Sequence, residues 1–226
     1  MLRRTNRQPR PEDAEKVWAA CSVLLDYPTE ALVSSLDDVE ALVPGHPQLA
    51  PLIDHLRGTP LRRLQEEYVA TFDHTRRCAL YLTYFSYGDT RRRGVALVQF
   101  KQAYRAAGVV WDEDTGELPD HLCAVLQLGA TTDPDVAWRL LLDHRAGVEM
   151  LRLALAGWER SESRGIGSPW LGAVTAVCGT LPTLQGEEAE AVRRLVEDGP
   201  PAEEVGLEPY TGDPVIATSI PVGAPR

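Results

Sequence analysis

Apolar residues recur along this chain at intervals of three and four, in segments divided by prolines and glycines. That period marks helices with one buried face. Pro11 suits a first helical turn. The stripe of Ala14, Val17, Trp18, Cys21, Leu24 and Leu25 carries that helix to about Asp26, where Tyr27-Pro28 stops it. Thr29 is placed to cap a second helix, with Leu32, Val33, Leu36, Val39, Leu42 and Val43 inside and Pro44-Gly45 at its end. A short third helix holds Leu49, Leu52, Ile53 and Leu56 and stops at Gly58. Thr59-Pro60 reads as the cap and first residue of a fourth, with Leu61, Leu64, Tyr68 and Phe72 on one face.

Residues 78–87, CALYLTYFSY, are rich in β-branched and aromatic side chains and fit either a strand or a buried helix. Their helical surroundings favour a helix. Another helix is expected over 90–107, ended by Gly108. Leu118-Pro119-Asp120-His121 opens the next, with Pro119 in the first position and Asp120 in the second. Asp133-Pro134 starts a helix running to about residue 161, with a bend near Gly147. Ser168-Pro169 starts another, and 187–198 forms the last, closed by Gly199. Residues 199–226 are rich in Pro and Gly without helical period and read as a disordered tail. The fold class is therefore all-α: a single helical-bundle domain of roughly nine or ten helices over 11–198, followed by the tail 199–226.

Composition narrows the function classes. A formal net charge of −10 speaks against general nucleic-acid binding. The charge is unevenly spread, since residues 62–105 hold nine basic and four acidic side chains while the remainder holds 14 basic and 29 acidic. Such a split suits a protein that binds other proteins. No apolar run approaches the roughly 20 residues of a membrane span. The polar start MLRRTNRQPRPEDAEK lacks a signal-peptide core. A cytoplasmic protein without stable membrane insertion is expected. Cys21, Cys78, Cys123 and Cys178 form no CxxC pair and read as small buried hydrophobes, so no metal site is expected.

The unusual residues concentrate between 68 and 122. Tyr68, Phe72, Tyr81, Tyr84, Phe85, Tyr87 and Tyr104 are a dense group for a chain with 15 aromatics. Each ring reads as core filler or as part of a partly wet groove for an amphipathic helix. Arg91 and Arg93 lie in the first turn of a helix, where the dipole disfavours cations; they read as a solvated first turn, or as pairing with acids or contacting a partner. Asp89 reads first as that helix's cap. Asp120 and His121 are the pair a catalytic reading would choose. Neither a nucleophile elbow, a phosphate loop nor a His-Glu zinc motif accompanies them, and no enzyme is expected.

YVATFD at 68–73, LYLTY at 80–84, GDTRRRG at 88–94, FKQAYRAAG at 100–108 and LPDHL at 118–122 occur in one order and spacing. In that order they resemble the respiratory nitrate reductase molybdenum cofactor assembly chaperones, the NarJ family. That family lies within a wider all-helical group serving molybdenum enzymes. The resemblance runs from about residue 15 to about residue 195 and rests on GDTRRRG and LPDHL together. It implies a partner, the N-terminal tail of the nitrate reductase catalytic (alpha) subunit, with cofactor-delivery proteins as further partners. It also implies that the molybdopterin guanine dinucleotide cofactor belongs to the client, with none bound permanently here. Under it, Tyr68, Phe72, Tyr81, Tyr84, Tyr87, Tyr104, Arg91 and Arg93 are candidates for client-peptide binding, and Asp89, Asp120 and His121 for recognition or maturation. A generic helical adaptor would explain the fold and the charge split, but not the joined motifs.

Overall fold

The computed structural model describes residues 9–88, 90–157 and 167–198. Among these, twelve α-helices carry the fold: α1 (Ala14–Leu24), α2 (Glu30–Ser34), α3 (Leu36–Leu42), α4 (Ala50–Gly58), α5 (Leu61–Tyr68), α6 (Tyr84–Tyr87), α7 (Arg91–Ala106), α8 (Leu122–Thr131), α9 (Pro134–Asp143), α10 (Arg145–Ala156), α11 (Leu171–Thr180) and α12 (Glu187–Asp198). The all-α reading holds. The expected tail 199–226 lies outside the described residues, as do Asp89 and Gly199.

Helix α1 is central, resting on α8, α11 and α3. Its Trp18 is fully buried, and the indole N–H donates to Thr180 Oγ1 at 2.9 Å, so this indole leaves no polar atom unsatisfied. The Trp18 ring lies 6.1 Å from that of Trp138 on α9. Helix α8 crosses this pair closely at Gly129. A Cβ added there would stand 2.6 Å from Trp18 Cε3 and 2.7 Å from Ala137 Cβ. Glycine is thus required by proximity, and α1, α8 and α9 form one interlocked layer.

Two caps match the sequence. Thr29 Oγ1 accepts the Leu32 N–H at 3.1 Å. Asp133 Oδ1 accepts the N–H groups of Asp135 and Val136 at 3.0 and 2.9 Å. Each is worth about 1 kcal/mol.

The helix count exceeds nine or ten because two expected long helices are broken. Ser35 separates α2 from α3, and its hydroxyl donates to the Leu32 carbonyl. His144 separates α9 from α10, so the bend falls there and not at Gly147. Gly147 serves another purpose: a Cβ there would meet the Leu82 carbonyl oxygen at 2.9 Å. It lets the 80–83 segment lie against α10. Thr59 does not cap α5, whose N-cap is Pro60, and the Thr59 hydroxyl faces His55 Nδ1 at 3.4 Å instead.

Two further expectations are corrected. Residues 78–87 are mostly not helical: a 3-10 turn at Arg76–Cys78 leads into an extended stretch, and only Tyr84–Tyr87 is α-helical. Asp120 and His121 are not inside α8. The helix begins at Leu122, with His121 extended at φ −62°, ψ 129° as its N-cap.

Gly129→Ala should destabilise the protein by about 1–3 kcal/mol, the range for overpacking a filled core. Urea unfolding followed by circular dichroism measures this, and an unchanged midpoint would refute the close crossing.

Candidate functional site

The two unexpected segments explain each other. Residues 80–82 run antiparallel to 120–122: Leu82 N–H donates to the Asp120 carbonyl at 3.0 Å, and Leu122 N–H to the Leu80 carbonyl at 2.8 Å, with Tyr81 opposite His121. This bridge uses backbone groups that a longer α8 would need, which is why the helix starts late.

The bridge turns the Asp120 side chain inward, to 0% exposure. Its Oδ2 accepts the Thr83 N–H at 3.1 Å and the Thr83 hydroxyl at 2.5 Å. Arg93, reaching in from α7, brings a terminal guanidinium nitrogen to 3.8 Å from the same oxygen. Its Nε–H donates to Thr83 Oγ1 at 3.2 Å. The guanidinium also lies 5.4 Å and 5.8 Å from the ring centres of Tyr81 and Tyr84, within cation–π range. Tyr81 completes the chain by donating its hydroxyl to Glu117 Oε1 at 3.0 Å, an oxygen that also accepts the Leu118 N–H. GDTRRRG, LYLTY and ELPDHL, far apart in sequence, are thereby one connected polar cluster.

Glu117 and His121 form part of the wall of a groove of about 820 Å³. The end of α1, the Asp26–Thr29 turn, α2, α8 and the 109–117 loop enclose it. Apolar Val23, Leu32, Val109 and Leu128 line it beside Tyr27 and Trp111, and Asp26 and Glu117 bring two carboxylates to it. Tyr27 is exposed and Trp111 half-buried. The arrangement can take an apolar segment carrying a positive charge.

The expected site residues are dispersed over five places. Arg93, Tyr81, Tyr84, Asp120 and His121 belong to the polar cluster or its edge. Tyr104 is buried but borders the groove, as does His121. Tyr68 and Phe72 are core residues: their rings stack on each other at 4.7 Å and on Trp170 at 5.6 Å each, and the Tyr68 hydroxyl donates to the Leu25 carbonyl. Tyr87, half-buried, borders a second hollow of about 470 Å³ between α7 and α9. Arg91 is exposed on α7. The described residues do not bring these aromatics together along one groove, because Trp170 holds Tyr68 and Phe72 in the core and Tyr87 borders a separate hollow. Asp26, Tyr27 and Trp111 were not legible as site residues. The signal for Trp111 was a large aromatic inside an acidic loop.

Burial sets the protonation states. It lowers the His121 imidazole below its ordinary 6.5, with Glu117, Asp26 and Asp120 pulling the other way. Burial likewise lowers His144, against Asp143 and Asp120. Burial, then the hydrogen bond to Glu117, pushes the Tyr81 phenol up to about 12, so it remains a donor at neutral pH. Among the described residues no group of three or more His, Cys, Asp or Glu is arranged to hold a metal ion, and no helix is long and apolar enough to cross a membrane.

The all-helical architecture is shared with a solved structure. The crystal structure of an Archaeoglobus fulgidus protein named "Putative Redox Enzyme Maturation Protein" superposes with a TM-score of 0.51, covering 78% of this chain and 98% of that one at 21% identity. The nitrate reductase delta subunit family matches residues 40–146. A Bacillus subtilis protein named "Probable nitrate reductase molybdenum cofactor assembly chaperone NarJ" is 34% identical over 131 residues, 55% of this chain and 70% of that protein. The corresponding NarW protein of Escherichia coli is 31% identical over 129 residues, 57% of this chain and 55% of its own. A Mycobacterium tuberculosis protein named "Nitrate reductase-like protein NarX" is 36% identical over 166 residues, and this chain spans only 24% of its length. The chain belongs to the NarJ family, the nitrate reductase delta subunit family.

Two predictions follow from the cluster. Asp120→Ala leaves Arg93 without its buried counter-charge and should cost about 3 kcal/mol, the low end for breaking such a pair, because Arg93 retains some access to water. The double variant with Arg93→Met should cost less than the sum of the singles, and strict additivity in urea unfolding would show that the pair is not coupled. The second concerns pH. Folded His121 and His144 resist protonation, so below the unfolded value near 6.5 the unfolded chain binds more protons. Stability should be full above that pH and fall as the pH drops through and below it. Melting temperatures between pH 7.5 and 5.5 should decline, and the decline should shrink in His121→Gln/His144→Gln; an identical slope in that variant would contradict the assignment.

Proposed function

We propose that this chain is a system-specific assembly chaperone. It binds the apo catalytic (alpha) subunit of a respiratory nitrate reductase by that subunit's N-terminal tail. It holds the subunit in the cytoplasm for molybdenum cofactor insertion, before the subunit docks at the membrane. The cofactor is cargo of the client, and cofactor-delivery proteins would meet the chaperone–client complex.

One observation carries this reading: the groove beside α1 and α8 is apolar and aromatic with carboxylates at Asp26 and Glu117, and Glu117 and His121 of the polar cluster form part of its wall. Such a groove suits the apolar face of a basic amphipathic helix. Family membership supports the choice of client class. Apolar burial supplies most of the affinity and the carboxylates mainly speed encounter. Ordering the peptide offsets roughly 2–5 kcal/mol of the gain. Asp120 acts at a distance, by fixing the segment that carries Glu117 and His121.

Isothermal titration with the synthetic N-terminal peptide of the catalytic subunit tests the proposal, against a scrambled peptide of the same composition. The native peptide should bind with a negative heat-capacity change. Trp111→Ala and Tyr27→Ala should each weaken it about tenfold, about 1.4 kcal/mol, with little change in melting temperature. Equal binding of the scrambled peptide would reduce the interaction to charge attraction and overturn the reading.

A further inference from the structure

Helix α7 carries five basic side chains and no acidic one over sixteen residues. It buries Ala96, Phe100 and Tyr104 and rests chiefly on α6 and α9. Its opposite side is unusual. Val95 and Val98 are 64% and 52% exposed, two of the most exposed large apolar side chains among the described residues. With Arg91, Gly94, Gln102 and Arg105, all exposed, they repeat at helical spacing and make one continuous stripe.

Gly94 is the informative member. Glycine weakens a helix interior relative to alanine. Nothing among the described residues calls for it: there a Cβ at Gly94 would meet no atom within 4 Å, and its φ is not in the left-handed region. The contrast with Gly129 and Gly147, where a Cβ would strike a neighbour, is direct. A small residue beside two exposed valines is what a helix needs for a second backbone to approach closely.

Charge selects the occupant. The stripe ends in Arg91 on one side and Arg105 on the other. Antiparallel pairing with a second copy would set arginine against arginine, and parallel pairing would do the same at both ends. The basic tail proposed for the α1–α8 groove is disfavoured here by the same sign. We propose that the α7 stripe is a second protein-binding surface, and that it takes an acidic partner helix: small and aliphatic residues along its centre, carboxylates bracketing them opposite Arg91 and Arg105. The inference stands on α7 alone and does not require the client reading of the groove.

The test is site-specific photocrosslinking in the full chain, with p-benzoylphenylalanine at position 98 in cells of the source organism. A second chain carries it at exposed position 54 on α4 as control. Crosslinked segments are identified by peptide mass spectrometry. The proposal expects one segment of another protein, aliphatic-centred and flanked by Asp or Glu, captured from position 98 and not from 54. A synthetic peptide of that segment should then bind the purified protein, at least tenfold more weakly in Val98→Glu and in Gly94→Leu. Both substitutions lie at exposed positions, and an unchanged melting temperature verifies folding. Titration of the groove with the client tail should be unaffected by either variant, which separates failure of this surface from failure of the groove. Crosslinks to a second copy, to residues 199–226 of the same chain or to a basic segment would overturn the proposal, as would capture no greater than from position 54.

Discussion

A carboxylate with no access to water must find both its hydrogen bonds and its counter-charge inside the protein. Asp120 is such a group, and much of the structure around it is the means of meeting that requirement. The Thr83 N–H and hydroxyl reach it only because residues 80–82 run extended beside 120–122. The counter-charge comes from Arg93, which fixes one end of α7 over the bridge. Gly147 opens the space on α10 that the extended segment occupies. Three of the five motifs thus meet at one buried charge: LPDHL supplies Asp120, LYLTY supplies Thr83 and GDTRRRG supplies Arg93.

The consequence for binding is indirect. Tyr81 stands on the extended strand, under the Arg93 guanidinium, and its hydroxyl holds Glu117 at the groove. The polar cluster thereby holds a groove wall in place. Opposite signs mark the two candidate surfaces, with carboxylates in the α1–α8 groove and arginines on α7. The basic tail proposed for the groove and the acidic helix proposed for α7 would each be repelled from the other's surface.

What could be read from the sequence depended on how local the determinants are. Caps at Thr29 and Asp133 and the apolar stripe of α1 involve residues a few positions apart, and these helices were legible. Residues 78–87 and 119–121 were misread because their conformation depends on each other across about 40 residues of chain, which no local period encodes. The LPDHL proline looked like a helix start, and the bridge overrode it. The aromatics divided similarly. Their spacing offers Tyr68 and Phe72 to a groove as readily as to the core, and Trp170, distant in sequence, draws them into the core. Asp26 and Tyr27 were seen only as a helix end, since their role comes from α8 and the Trp111 loop facing them.

The central claim is that the client tail lies in the groove bordered by α1, α8 and the Trp111 loop. Indole N–H resonances of the tryptophans report this directly when the N-terminal peptide of the catalytic subunit is titrated into the labelled protein. The account predicts a large, saturable shift of the Trp111 resonance, while Trp18 and Trp170, fully buried elsewhere in the core, stay nearly unmoved. A Trp111 resonance that stays in place while the peptide binds would contradict it.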